Sequence, residues 1–122
     1  MNLSTGIDLI EIVRIERALE KYGERFLKRI YTEGEIIQAR ENAPELAAQF
    51  AAKEATSKAL GTGIGPVSWT EMETINLRSG KPEIRLHGKA AQIAALQGFT
   101  TWTVSLTHSR GMAAAVVICL GE

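Results

Sequence analysis

Apolar residues change their spacing as the chain proceeds, and each change marks an element. Near the N-terminus "LSTGIDLIEI" reads as a short strand with a glycine inside it and one carboxylate, Asp8, among apolar neighbours. From Ile12 the spacing turns helical: Ile12, Ile15, Leu19, Tyr22 and Phe26 recur at intervals of three and four and trace one buried stripe. Gly23 is placed to break or bend that helix. Thr32, with Glu35 three residues on, makes a capping box for a helix that should stop before Pro44. A longer helix is expected from about Pro44 to Leu60. It carries Ala47, Ala48, Ala51, Ala52, Ala55 and Ala59, small side chains that let another backbone approach closely. Gly61 then ends it, as glycine commonly does at a helix C-terminus.

After Gly65-Pro66 the period shortens. "VSWTEMETINLRSGKPEIRLHG" alternates as two strands joined through Ser79-Gly80. "KAAQIAALQG" is a short helix closed by Gly98. "TTWTVSLTHS" and "GMAAAVVICL" are two more strands around a turn at Arg110-Gly111. The mixed order, ending in an antiparallel pair, defines an α+β class. With 122 residues and no linker, repeat or low-complexity tract, residues 1–122 are expected to form one domain. That length is short for an enzyme binding a large ligand alone, so a site shared between subunits is worth considering.

Charge narrows the partners. Fourteen basic residues balance fourteen acidic ones, so no long-range field favours nucleic acid or a membrane surface. The single cysteine, Cys119, excludes a disulfide framework and reads as a small buried hydrophobe. No signal peptide precedes the first apolar run and no stretch approaches the ~20 apolar residues of a membrane span, so a soluble, cytoplasmic protein is expected.

Within this neutral chain a few residues stand out chemically. Asp8 inside an apolar strand is costly unless it is paired, hydrogen-bonded or bound to a metal, and a helix cap is the plainer explanation. Phe50, Glu54 and Lys58 share one row of the long helix. An ordinary surface Glu–Lys pair would account for the last two, but the helix is too rich in alanine to look exposed, and Lys53 adds a second ammonium. Two hard oxygen donors with lysines beside them suit Mg²⁺ bridging a phosphorylated ligand. "GTGIG", with Gly61, Gly63 and Gly65, follows a helix C-terminus rather than preceding an N-terminus, so it is a cap and tight turn and not a P-loop. Thr107, His108 and Ser109 end a strand together and can hold a phosphate, although a lone histidine is more often structural. His87 has no acid or cysteine partner in view. Arg14, Arg17, Lys21, Arg25 and Lys28 form a basic row on the first helix, with a matching acidic row of Glu16, Glu20 and Glu24. The row is either a solvated face or a docking strip for an acidic helix.

At "TGID", and above all at "FAAKEATSK", the sequence resembles holo-[acyl-carrier-protein] synthase, the small trimeric class of 4′-phosphopantetheinyl transferases. Gly6, Ile7 and Asp8 match the first half of the family's two-part pattern, and Phe50, Lys53, Glu54 and Lys58 match the second. "RFLKRIYT", "KALGTGIG", "SGKPEIRLHG" and "VSLTHSRGMAAAVV" extend the likeness over nearly the whole chain. The resemblance implies a small antiparallel sheet packed against a long helix, assembled as a homotrimer. It implies transfer of 4′-phosphopantetheine from coenzyme A to a serine of an acyl carrier protein, releasing adenosine 3′,5′-bisphosphate. It further implies that Asp8 and Glu54 hold Mg²⁺, with Mn²⁺ also suited to oxygen ligands, and that Lys58 supports the diphosphate charge. Lys53, Lys58, Gly61, Gly63, Gly65, Thr107, His108 and Ser109 are expected along coenzyme A, the strand tip with His108 coming from a neighbouring subunit. Arg14, Arg17, Lys21, Arg25 and Phe26 are expected to dock the carrier. One departure is Gln49, where the family often has an arginine reaching the 3′-phosphate; weaker coenzyme A binding is the expectation. A Mg²⁺-dependent phosphohydrolase using the same carboxylates, and a non-catalytic module binding a nucleotide or an acidic helix, are the alternatives.

Overall fold

The computed structural model describes residues 1–122. Its first strand, β1 (Asn2–Glu11), matches the expected stretch to within one residue at each end and runs directly into helix α1 (Ile12–Tyr22). Gly23, at φ 55°, ends α1 and starts α2 (Glu24–Ile30). The stripe on these helices buries Ile12, Ile15 and Ile30. Tyr22, which spacing places on the same stripe, is 52 % exposed, because the chain turns at the next residue.

Helix α3 (Glu33–Ala39) begins at the expected capping box, with Thr32 Oγ1 accepting from the Glu35 amide and Glu35 Oε1 accepting from the Thr32 amide. Asn42 then caps α4 (Ala43–Leu60) by accepting from the Glu45 amide, and Gly61 closes it in the left-handed conformation. All six alanines named above are buried. Because α4 is covered on nearly every side, it has no polar face of the usual amphipathic kind.

The rest of the chain surrounds α4. A 3-10 turn (Trp69–Glu71) leads into the hairpin β2 (Met72–Asn76) and β3 (Pro82–Leu86). Helix α5 (Gly88–Leu96) follows, and then β4 (Phe99–Ser109) and β5 (Met112–Gly121). An antiparallel sheet forms in the order β1-β5-β4, with Asp8 opposite Ala115 and Leu106 next along on β4. Ala113, Ala115, Val117 and Cys119 of the central strand point inward and are buried with α4 in the main core. The α+β class and the sheet packed on a long helix are thus present.

One glycine sets how near the layers come. A side chain at Gly6 would overlap the Ala55 carbonyl oxygen of α4, so strand and helix backbones touch at this point. Gly6 and Asp8 lie on the same face of β1. Close approach at Gly6 therefore carries Asp8 against the next turn of α4.

Candidate active site

The turn of α4 that faces Asp8 carries Glu54 and Lys58. Lys58 Nζ donates to Asp8 Oδ1 at 3.1 Å and to the Ile7 carbonyl at 2.8 Å. The pair is open to solvent, with the lysine side chain 52 % exposed and the aspartate 17 %. Glu54 is half-buried beside them. Burial, and then the neighbouring Asp8 carboxylate, push its carboxyl above the usual range, against the pull of Lys58 and Arg14. Two acids distant in sequence thus feel each other's charge at the rim of one helix. No cluster of three His, Cys, Asp or Glu side chains suited to a metal occurs in the structure, so a cation held at this place would take its other oxygens from a ligand or from water.

Lys53 requires a correction. It was expected along coenzyme A, yet its side chain and that of Glu35 are both 0 % exposed. Its ammonium donates to Glu35 Oε1 at 2.7 Å, the Met72 carbonyl at 2.8 Å and the Trp69 carbonyl at 3.1 Å. A lysine has three N–H donors, so all are used and none is left for a ligand. Gln49 is corrected as well. It is buried and turned inward, with Nε2 donating to the Glu35 carbonyl at 3.4 Å, so it offers a ligand no surface contact. His87 does have an acid partner, Glu73 Oε1 at 2.9 Å, and Glu73 also accepts from the Thr32 hydroxyl.

Gly61, Gly63 and Gly65 have φ values of 78°, 65° and 129° and open space where side chains would be. Glycine serves the backbone there, not a close approach within the chain. Thr107, His108 and Ser109 are exposed at the end of β4, separated from β1 by the full width of β5. His108 borders a different, polar concavity with Gln38, Asn42, Glu45 and Asn76. Within one chain these residues do not reach Asp8.

On the helical side, Arg14, Arg17, Lys21 and Arg25 are all exposed, and Phe26 is half-buried, meeting Tyr31 edge-to-face at 5.9 Å. Arg14 is near enough for its charge to act on Glu54. Arg25 and Phe26 instead border a groove completed by Tyr22, Arg29, Ile30 and Trp69. Trp69 stacks on Phe50 with ring centres 4.7 Å apart. Neither Trp69 nor Glu35 was given a functional role in the sequence. The signal for Glu35 was present but spent on the capping box, whereas a lysine amid alanines was itself a sign that a buried acid had to exist.

A sheet laid on a central helix, with two acids and a lysine at their junction, is the frame of a known superfamily. Residues 4–117 match the family model of the 4′-phosphopantetheinyl transferase superfamily, and the chain belongs to it. Its relatives within that superfamily include holo-[acyl-carrier-protein] synthases. That of Herpetosiphon aurantiacus is 47 % identical, covering 98 % of this chain and 99 % of its own. That of Solibacter usitatus is also 47 % identical, over 97 % of this chain and 98 % of its own. Among solved structures, the Helicobacter pylori holo-[acyl-carrier-protein] synthase in complex with coenzyme A superposes with a TM-score of 0.88 at 31 % identity, covering 95 % of this chain and 99 % of that one. The Neisseria meningitidis enzyme gives 0.87 at 33 % identity, over 96 % and 97 % of the two chains.

Proposed function

We propose that this protein transfers the 4′-phosphopantetheine group of coenzyme A to a serine hydroxyl of an apo acyl carrier protein, giving the holo carrier and adenosine 3′,5′-bisphosphate. The observation that carries the reading is the convergence of Asp8, Glu54 and Lys58 where β1 touches α4, in a chain of this superfamily. In the reaction the serine oxygen forms a bond to the phosphorus that bears pantetheine and releases its hydroxyl proton to solvent, while the bond from that phosphorus to the bridging oxygen breaks and that oxygen leaves on adenosine 3′,5′-bisphosphate. Lys58, exposed and already pointing at the acids, neutralises charge on the diphosphate as a point cation.

The donor set fits Mg²⁺, or Mn²⁺, which are commonly held by one or two carboxylates with phosphate and water oxygens completing the shell. Asp8 and Glu54 would hold it. Bound there, the ion would supply Lewis-acid polarisation of the diphosphate. The residues prepare for it by keeping two carboxylates near each other; burial first, and the Asp8 charge second, raise the proton affinity of Glu54 there.

The active form is a homotrimer in this reading. The outward face of the sheet carries Leu3 at 66 %, Ile7 at 66 % and Leu9 at 64 % exposure, continued by Ile118 and Leu120 of β5. Contiguous exposed aliphatics of this kind mark an interface. A neighbouring copy covering the face would bring its Thr107, His108 and Ser109 toward the Asp8 site, for the 3′-phosphate of coenzyme A. The carrier docks on the basic face of α1 and α2, and the reaction runs in the cytoplasm.

The test is incubation of the protein with coenzyme A, Mg²⁺ and an apo carrier, followed by intact mass. The carrier should gain the phosphopantetheine mass, and Asp8→Ala should slow the gain by about 10²–10³-fold. Phosphopantetheine released to water over an unmodified carrier would replace transfer with hydrolysis.

A further inference from the structure

The groove bordered by Tyr22, Arg25, Phe26, Arg29, Ile30 and Trp69 combines an aromatic lining with two guanidinium groups. That combination matches an amphipathic acidic helix, which offers an apolar side chain to the lining and carboxylates to the arginines. The pantetheine arm carries no charge and would leave the arginines without partners. Position supports the same occupant. Trp69 lies on Phe50, and Phe50 precedes Glu54 by four residues on α4, a separation of about 6 Å along the helix axis. A carrier helix seated in the groove therefore has its neighbouring residue beside the acids.

What holds Trp69 in place is not its own helix. The 3-10 turn is three residues long and is tied to α4 through Lys53, whose ammonium takes the Trp69 and Met72 carbonyls from either end of that turn. Glu35 fixes the ammonium at 2.7 Å, and its second oxygen accepts from the Thr74 amide at 2.9 Å, securing the strand that follows. We infer that Lys53, clamped by Glu35, is a positioning residue: it sets Trp69 as the apolar wall of the carrier groove and so acts on carrier recognition, with no contact to coenzyme A. This rests on the transferase reading above and deepens it at the same site.

The experiment separates the two. Wild-type turnover of an apo carrier tests transfer itself, while the fluorescence of Trp69, isolated by Trp102→Phe because these are the only two tryptophans, tests positioning whether or not transfer occurs. Lys53→Met with Glu35→Gln removes the buried charges together. In the Trp102→Phe background it should shift Trp69 emission to the red and raise its quenching by acrylamide about twofold, as the turn loosens. Trp69→Ala and the Lys53/Glu35 double variant should each raise the carrier KM about tenfold, at least five times more than any change in the KM for coenzyme A. Where the double variant does not fold, Glu35→Asp keeps both buried charges while drawing the carboxylate back by one methylene, and should move emission and carrier KM in the same direction by a smaller amount. A KM for coenzyme A that rises as much as that for the carrier would assign the groove to the pantetheine arm and overturn the inference. Unchanged Trp69 emission together with an unchanged carrier KM in the clamp variants would overturn it equally.

Discussion

Lys53 and Lys58 leave the same helix and each meets an acid from another element, yet they serve opposite ends. Lys53 is sealed off with Glu35 and has every donor occupied. Lys58 is half in solvent, and the acids beside it retain unshared oxygen lone pairs. Burial pushes the proton affinity of Lys53 down while Glu35 pulls it back up. At the open end the uncompensated quantity lies on Glu54, whose proton affinity is raised by burial first and by the neighbouring Asp8 second. Motif spacing alone treats the two lysines alike. What separates structure from chemistry is whether the hydrogen-bonding capacity is already spent.

The largest effect should therefore come from the closed end and be one of stability. Lys53→Met leaves the Glu35 carboxylate buried without its cation, which typically costs about 3–5 kcal/mol. For a chain of this size that lowers the thermal midpoint by roughly 10–20 °C, read by calorimetry or circular dichroism. Adding Glu35→Gln should recover part of it, because a buried pair removed whole costs less than a pair broken. A single Lys53→Met variant as stable as wild type would erase the distinction between the two lysines.

At the open end the expectation reverses. Asp8→Ala or Glu54→Ala should cut turnover by about 10²–10³-fold, the usual loss when one electrostatic contact to a transition state goes. Stability should move by less than about 1 kcal/mol, the worth of an exposed ion pair. Mg²⁺ removal by chelator should mimic the loss without changing the melting curve. Gly6→Ala should show both kinds of damage, since the added methyl meets the Ala55 carbonyl. The strand must shift off α4 at a cost of about 1–3 kcal/mol, and Asp8 moves with it. Melting and turnover should fall together for this variant alone among the three positions.

These contrasts also show what a sequence can display. The strands, the capping box and the alanine-rich helix were legible because each leaves a local period or a local cap. The adjacency of Asp8 and Glu54 was legible only through a family pattern, since no spacing relates a strand residue to a helix so far along the chain. The Lys53–Glu35 clamp was not legible. Its two halves belong to separate motifs, each of which already had a sufficient local explanation. Trp69 was missed for a related reason: a three-residue turn has no periodicity, and only the fold sets it on Phe50. The separation of His108 from Asp8 within one chain follows from the order β1-β5-β4, which places the last strand between the first and the fourth. The sequence alternates alike whichever strand lies in the middle.

The smallest effects should come from the basic face, and they refine the account of the open end. Arg14 and Arg25 are both exposed and were both expected to dock the carrier, but their surroundings differ. Arg25 borders the aromatic groove, whereas the charge of Arg14 reaches Glu54. Reversing a rim charge changes encounter more than the bound state, and exposed pairs are worth about 0.2–1 kcal/mol. Arg25→Glu should accordingly raise the carrier KM by a few-fold, lessen its dependence on salt, and leave the affinity for coenzyme A and Mg²⁺ as it was. Arg14→Glu should raise the carrier KM by a similar factor and also alter the Mg²⁺ concentration needed for half-maximal turnover, because it adds negative charge beside two carboxylates. Measured side by side at low and high salt, the two variants should differ only in that metal requirement. An identical metal requirement would place Arg14 with the docking strip alone and draw the boundary of the open site inside Asp8, Glu54 and Lys58.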